Sequence, residues 1–203
     1  MGSTLRTFVA INIPANIKQE LARVQDLFRH ADIGVRWVRP EGLHVTLKFL
    51  GEVEEERIAE IRSVMVEAAR GASAFTLELT EVDAFPNARY PRIIWMGLEE
   101  ASGELQRLQE KLDKGFRKLG FEPEDREYSP HLTMGRVAAS RGRGQLIRLL
   151  HTEKRRHGGI FEVSAVDLMR STLTPAGAEY ALLGSVPLGG NQEGPEGITA
   201  EKS

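Results

Sequence analysis

A chain of 203 residues with 41% hydrophobic content is long enough to bury a full core, as one large domain or two small lobes. It has no cysteine, which excludes disulfides and thiolate metal sites, and no charged-then-apolar leader at its N-terminus, so a reducing cytoplasm is expected. A net charge of −2 and the lack of any run of membrane-spanning length exclude a broad basic duplex-binding surface and a helical anchor; any nucleic-acid contact should be local.

Residues 6–13 are rich in Phe, Val and Ile and read as a strand covered on both faces, stopped by Pro14. The spacing of Ile17, Leu21, Val24 and Phe28 predicts a helix over about 15–30. A loop through Trp37 and Pro40 leads to a strand from Leu43 to Gly51. A second helix is predicted over 54–70: Glu54, Glu55 and Glu56 suit the positive end of its dipole, and Ile58, Ile61, Met65 and Ala68 form its buried stripe. The acidic run therefore reads as a solvated first turn in preference to a metal site. Phe75, Leu77 and Leu79 alternate with Thr76, Glu78 and Thr80 as a half-exposed strand. After the turn-rich residues 85–91 come a strand over 93–98, a helix from Ser102 to Leu119, and a strand at His131. A weaker helix is predicted over 144–157, a strand over 161–170, and a last strand over 179–186. Residues 189–203 hold almost nothing apolar and are expected to form a disordered tail.

Two stretches share one pattern: Leu43-His44-Val45-Thr46-Leu47-Lys48-Phe49 and His131-Leu132-Thr133-Met134-Gly135-Arg136. On a strand, His44 and Thr46 share a face, as do His131 and Thr133, while Val45, Leu47 and Phe49 are expected to face a core. A single His-x-Thr is more often structural than catalytic. Two copies 87 residues apart are more telling, because the same offset carries Phe8 to Trp95, Leu21 to Leu108 and Phe75 to Glu162. The chain reads as two strand-helix-strand-helix-strand units, about 5–84 and 91–187, each with a His-x-Thr on its middle strand. A pseudo-twofold between them brings two imidazoles and two hydroxyls to one cleft. That is the outline of a phosphodiester site, in which one imidazole takes a proton, the other gives one, and the hydroxyls hold phosphate oxygens.

With those motifs go the opening Arg6-Thr7-Phe8-Val9-Ala10-Ile11, the stretch from Ala84 to Gly97, Ser129-Pro130-His131, and the Leu-Thr-Pro-x-Gly-x-x-Tyr ending at Tyr180. In their order and spacing they resemble the 2H phosphoesterase superfamily, specifically the RNA 2′,3′-cyclic phosphodiesterases also called 2′-5′ RNA ligases. The resemblance covers roughly residues 5–188. It implies a single α+β bilobal domain over 1–188, with two mainly antiparallel sheets, flanking helices and the site in the cleft between lobes. It also implies a monomer that acts on RNA or oligonucleotides ending in a 2′,3′-cyclic phosphate, without metal or other cofactor. By position His44 corresponds to the proton donor, His131 to the proton acceptor, and Thr46 and Thr133 to phosphate contacts. The implied reaction leaves a 2′-phosphate and, run backwards, joins such an end to a 5′-hydroxyl.

Lys48 shares the face of His44 and Thr46 by parity and is a candidate substrate cation, with a rim lysine as the alternative. Arg136 lies on the opposite face of a regular strand, but a bulge at Gly135 would turn it inward to hold a phosphate or stack on a base. Tyr128 and Phe8 read first as packing. The basic segments 140–144 and 154–157 read as solvated structure, and His30, His151 and His157 as surface residues. Two other functions compete. A non-catalytic RNA-end binder has no use for a second imidazole, and Arg or Lys would hold a phosphate with less dependence on pH. A metallohydrolase needs carboxylates at ligand spacing that neither motif supplies.

Overall fold

The computed structural model describes residues 3–31, 33–123, 127–139, 141–175 and 177–189, so the expected tail lies, apart from Gly189, outside the described residues. The elements are β1 (Thr4–Asn12), α1 (Ala15–Arg29), β2 (Val35–Trp37), β3 (His44–Glu54), α2 (Ile58–Ala69), β4 (Phe75–Phe85), β5 (Ile93–Glu99), α3 (Glu104–Lys118), β6 (His131–Val137), α4 (Arg143–Thr152), β7 (Gly159–Val163), β8 (Ala165–Thr174) and β9 (Gly177–Pro187). Three details depart from the sequence reading. Helix α2 starts later than predicted, because Glu54 ends β3 and Glu55–Arg57 form a single 3-10 turn. Strand β2 is too short to show a period of its own and exists through its pairing with β6. The strand expected over 161–170 is two strands meeting at Ser164, of which β7 pairs with β4 and β8 with β1.

All strand pairs are antiparallel, and their order is β7-β4-β5-β6-β3-β1-β8-β9, with β2 also on β6. The expected α+β class holds. Its two sheets are halves of one strongly curled sheet, joined between β3 and β6 only at Val45↔Leu132. The repeats do not coincide with the halves: β4 of the first pairs with β5 of the second, and β8 of the second pairs with β1 of the first. Helices α2 and α3 pack on the half that carries β3, and α1 and α4 on the half that carries β6.

One contiguous apolar core runs behind both halves, with Leu21 and Phe28 of α1, Met65 of α2, and Leu112 and Phe116 of α3 fully buried. Each such side chain contributes about 1.5–3 kcal/mol on burial. The buried Gln25 of α1 fastens the layers with polar bonds, its Nε2 donating to Val38 O at 2.9 Å and Met134 O at 3.0 Å. On the open side of the sheet, Phe8, Ala10 and Met169 form a separate small cluster with Tyr180 packed against it.

Candidate active site

Each His-x-Thr is followed by a β-bulge, and the two bulges are equivalent in the repeat. Along β1 and β3, Val9 pairs with Lys48 but Ala10 with Thr46, leaving Leu47 as the extra residue. Along β5 and β6, Ile94 pairs with Gly135 but Trp95 with Thr133, leaving Met134 extra. Leu47 and Met134 stand 87 residues apart. An extra residue reverses the alternation of faces beyond it. Lys48 and Gly135 therefore turn to the helix side, and Phe49 and Arg136 to the open side.

On the open side His44, Thr46, Phe49, His131, Thr133 and Arg136 line one cleft of about 440 Å³. Among the described residues neither threonine hydroxyl has a hydrogen-bond partner, so both are available to a bound anion. The His131 Nδ1 lies 2.8 Å from Ser129 O and donates to it, which leaves Nε2 as the lone-pair nitrogen of the neutral ring. Phe85 and Trp95, stacked on one another at 5.0 Å, meet that imidazole edge-on at 5.1 and 6.3 Å. His44 is likewise tied to the backbone two residues earlier, at Gly42. Its ring lies 4.7 Å from Phe8 and 4.9 Å from Tyr180. This enclosure strips water from the imidazolium and lowers the His44 pKa to about 4; nearby Lys18 pushes the same way, and the Gly42 bond opposes both.

The repeated site also appears in comparisons with known proteins. A family model described as LigT like phosphoesterase matches residues 11–95 and then, a second time, 97–180. The chain belongs to the LigT-like phosphoesterase family. It is 41% identical over 178 residues to a Methanothermobacter thermautotrophicus protein named RNA 2′,3′-cyclic phosphodiesterase, a match covering 87% of this chain and 95% of the relative. A Methanocaldococcus jannaschii protein of the same name is 37% identical over 179 residues, covering 88% and 98%. Among solved structures, a Thermus thermophilus protein superposes with a TM-score of 0.77 at 28% identity, covering 93% of this chain and 100% of that one. Escherichia coli LigT complexed with 3′-AMP shares the fold, with a TM-score of 0.74 at 24% identity and coverage of 93% and 100%.

Of the cleft residues of this LigT-like phosphoesterase, both imidazoles, both threonines and Arg136 are where the sequence placed them. Arg136 arrives by the bulge that Gly135 suggested. Gly135 itself is required on the other face, where a Cβ would come within 2.8 Å of Val35 and 2.9 Å of Trp37. Lys48 is corrected. It is 3% exposed on the helix side, with Nζ 2.7 Å from Asp113 Oδ1 and 2.6 Å from Glu122 O, because the bulge at Leu47 reverses the parity that put it beside His44. Phe49, expected in the core, is 61% exposed in the cleft for the same reason. Tyr128 does not face the cleft. Its buried hydroxyl donates to Thr46 O at 3.1 Å, and burial pushes its pKa up. Sequence reasoning missed Phe49 and Tyr180, although the 87-residue offset that maps Phe49 onto Arg136 was a usable signal for the first. His30, His151 and His157 lie outside the cleft lining.

Proposed function

We propose that this phosphoesterase opens the 2′,3′-cyclic phosphate at the end of an RNA, giving a 2′-phosphate, with His131 as base and His44 as acid. The observation that carries the reading is the repeated imidazole–hydroxyl pair, one from each unit, opening on a single cleft with the rings tied back at Ser129 and Gly42. The names of the archaeal relatives support the substrate. Water attacks phosphorus as His131 Nε2 takes its proton, the bond from phosphorus to the 3′-oxygen breaks, and His44 protonates that oxygen. Thr46, Thr133 and Arg136 hold the non-bridging oxygens. Phe49 offers an exposed ring on which the terminal base can stack. The reverse sense, with a 5′-hydroxyl in place of water, uses the same two proton positions.

The depressed pKa of His44 bears directly on the acid role. A ring with a pKa of about 4 is neutral at pH 7, so an empty site holds no acid. The cyclic phosphate brings a negative charge against this poorly solvated ring and favours its imidazolium. Substrate entry thus loads the proton that the leaving oxygen needs. The test is turnover of a 2′,3′-cyclic mononucleotide with and without EDTA. Losses of about 10²–10⁴-fold are expected for His44→Ala and for His131→Ala, with no effect of the chelator. Near-normal turnover by His131→Ala defeats the reading, and tight binding of the end with no turnover in the wild type leaves an RNA-end binder in its place.

A further inference from the structure

Residues 34–40, 86–92 and 136–148 hold eight arginines and no Asp, Glu or Lys, so all 29 acidic residues of the chain lie elsewhere. The fold brings these three segments to one end of the sheet. Gly34 N donates to Arg141 O at 3.1 Å, Ala138 N to Gly34 O at 2.7 Å, Val137 N to Arg92 O at 2.9 Å, and Arg143 Nη2 to Arg89 O at 3.1 Å. Arg36 stands directly opposite Arg136 in the β2–β6 pair and shares its face, where like charges weaken the pairing. Beyond them the exposed ring of Tyr90 carries two more guanidinium groups, Arg143 at 4.9 Å and Arg89 at 5.6 Å. Arg143 also opens α4, which has no acidic residue in its first turn, so a cation meets the positive end of the dipole. Among the described residues no carboxylate pairs with Arg36, Arg89 or Arg143, whereas Arg23, Arg29 and Arg107 on other surfaces are matched by Glu20, Asp26 and Glu104. Cations gathered without counter-charges repel one another in the free protein, and a polyanion relieves that repulsion.

The strand register places this end beside His44. Strands β3 and β6 are antiparallel with Val45 opposite Leu132, so Thr133 stands at the His44 end of β6 and Arg136, with Arg36 opposite it, lies past Thr133. Phe49 lies past Thr46, toward the other end. On the hydrolytic reading above, on which this inference rests, His44 protonates the departing 3′-oxygen. The bonding of ribose then sets the direction of the strand. C3′ is bonded to C4′, which carries C5′ and the preceding nucleotides, while C2′ is bonded to C1′, which carries the base. With the 3′-oxygen at His44, the 5′ side of the strand runs toward the arginines and the base falls toward Phe49.

We propose that this arginine end binds the 5′ body of the cyclic-ended RNA, Arg36 taking the phosphodiester that precedes the terminal nucleoside and Arg143 with Arg89 those further back. Arg136 reaches back along β6 to the reacting phosphate, and Arg36, one strand over, is left for the next one. A guanidinium donates to both non-bridging oxygens of a phosphodiester and stays charged at any working pH. The substrate class is thus an oligoribonucleotide end in preference to a free cyclic mononucleotide. Because these contacts go to phosphates, the preference is for length and not for sequence.

The test compares hydrolysis of three substrates by the full chain: 2′,3′-cyclic AMP, a dinucleotide with the same cyclic end, which adds one phosphodiester, and a hexanucleotide with that end. The wild type is expected to show a KM for the dinucleotide about tenfold or more below that for cyclic AMP, the scale of a charge-assisted phosphate contact, and a lower one still for the hexanucleotide. The gain from length is expected to shrink as salt rises. Arg36→Gln is expected to raise the KM for both oligonucleotides about tenfold or more and Arg36→Lys to restore part of the loss, while Arg89→Gln combined with Arg143→Gln raises it for the hexanucleotide alone. Hydrolysis of cyclic AMP is expected to be unchanged in all of them. No gain from length in the wild type, or a full gain retained by Arg36→Gln, overturns the proposal. So does an equal loss on cyclic AMP, or a loss seen only when cyclic AMP is joined to a 5′-hydroxyl oligonucleotide, which assigns the arginines to a second strand. Absence of cyclic AMP turnover by the wild type defeats the hydrolytic reading itself, whereas normal turnover with no gain from length defeats this proposal alone.

Discussion

Replacing His44 by Gln removes a titration that the fold suppresses, and the effect on stability is calculable. In the unfolded chain this imidazole takes a proton near its ordinary value of 6.5, while in the folded protein it does so near 4. Stability rises with pH wherever the unfolded state binds more protons, so the wild type loses stability as pH falls from 6.5 to 4 and loses none from this source above 6.5. The gap corresponds to about 3 kcal/mol at full extent. Other groups titrate in the same window, and comparison with the variant cancels them. Urea denaturation of wild type and His44→Gln at pH 7, 5.5 and 4 is expected to show the variant gaining on the wild type by up to that amount. NMR titration of the His44 ring supplies the pKa directly, and inorganic phosphate is expected to raise it, as the loading of the acid by an anionic substrate requires. A stability difference that does not change with pH, or a ring titrating at its ordinary value, refutes the account of an enclosed and dehydrated His44.

Lys48→Ala removes a buried donor to Asp113 and Glu122 O, while Asp113 keeps Arg117 at 3.0 Å, and is expected to cost about 1–3 kcal/mol in chemical denaturation; Lys48→Met, which fills the space, is expected to cost less. Thr46→Val and Thr133→Val each remove a proposed donor to phosphate, and kcat/KM is expected to fall by the equivalent of about 1–3 kcal/mol with far-UV circular dichroism unchanged. Phe49→Ala is expected to lower kcat/KM for a nucleoside 2′,3′-cyclic phosphate by about 1–3 kcal/mol, the worth of one base–aromatic stack, and to spare glycerol 1,2-cyclic phosphate, which has no base. Product analysis by NMR is expected to show a 2′-phosphate; a 3′-phosphate would place the ribose the other way round in the cleft.

What could be read from the sequence followed the ranges over which its physics acts. The helix stripes at Leu21, Leu108 and their neighbours, and the alternation at Phe75–Thr80, are local and came through with boundaries moved by a few residues. The paired His-x-Thr was legible because duplication writes the same face twice. The face assignment failed two residues past Thr46, at Lys48, since strand parity assumes an unbroken ladder and a bulge depends on the neighbouring strand's register; past Thr133, Gly135 hinted at the break. That single failure misplaced both Lys48 and Phe49. The exchange of β4 and β8 between halves was not readable either, because nothing local to Leu77 or Leu168 says which strand each will meet.

The same bulges make a symmetric pair of motifs into a directional site. Up to the threonines the repeats are chemically alike, an imidazole and a hydroxyl each. Beyond them the equivalent positions diverge. On the helix side, β3 has Lys48 bound to α3 through Asp113, whereas β6 has Gly135 admitting Val35 and Trp37 of β2. On the cleft side, β3 offers the ring of Phe49 and β6 the guanidinium of Arg136. Phosphoryl transfer has an entering and a leaving side, and two identical walls would leave a substrate free to bind either way round. On the proposed reading, Phe49 as an apolar shelf for a base on one wall and Arg136 as a cation for phosphate on the other remove that degeneracy. Since a Cβ at residue 135 would run into Val35 and Trp37, the glycine there is what lets β2 set Arg36 opposite Arg136.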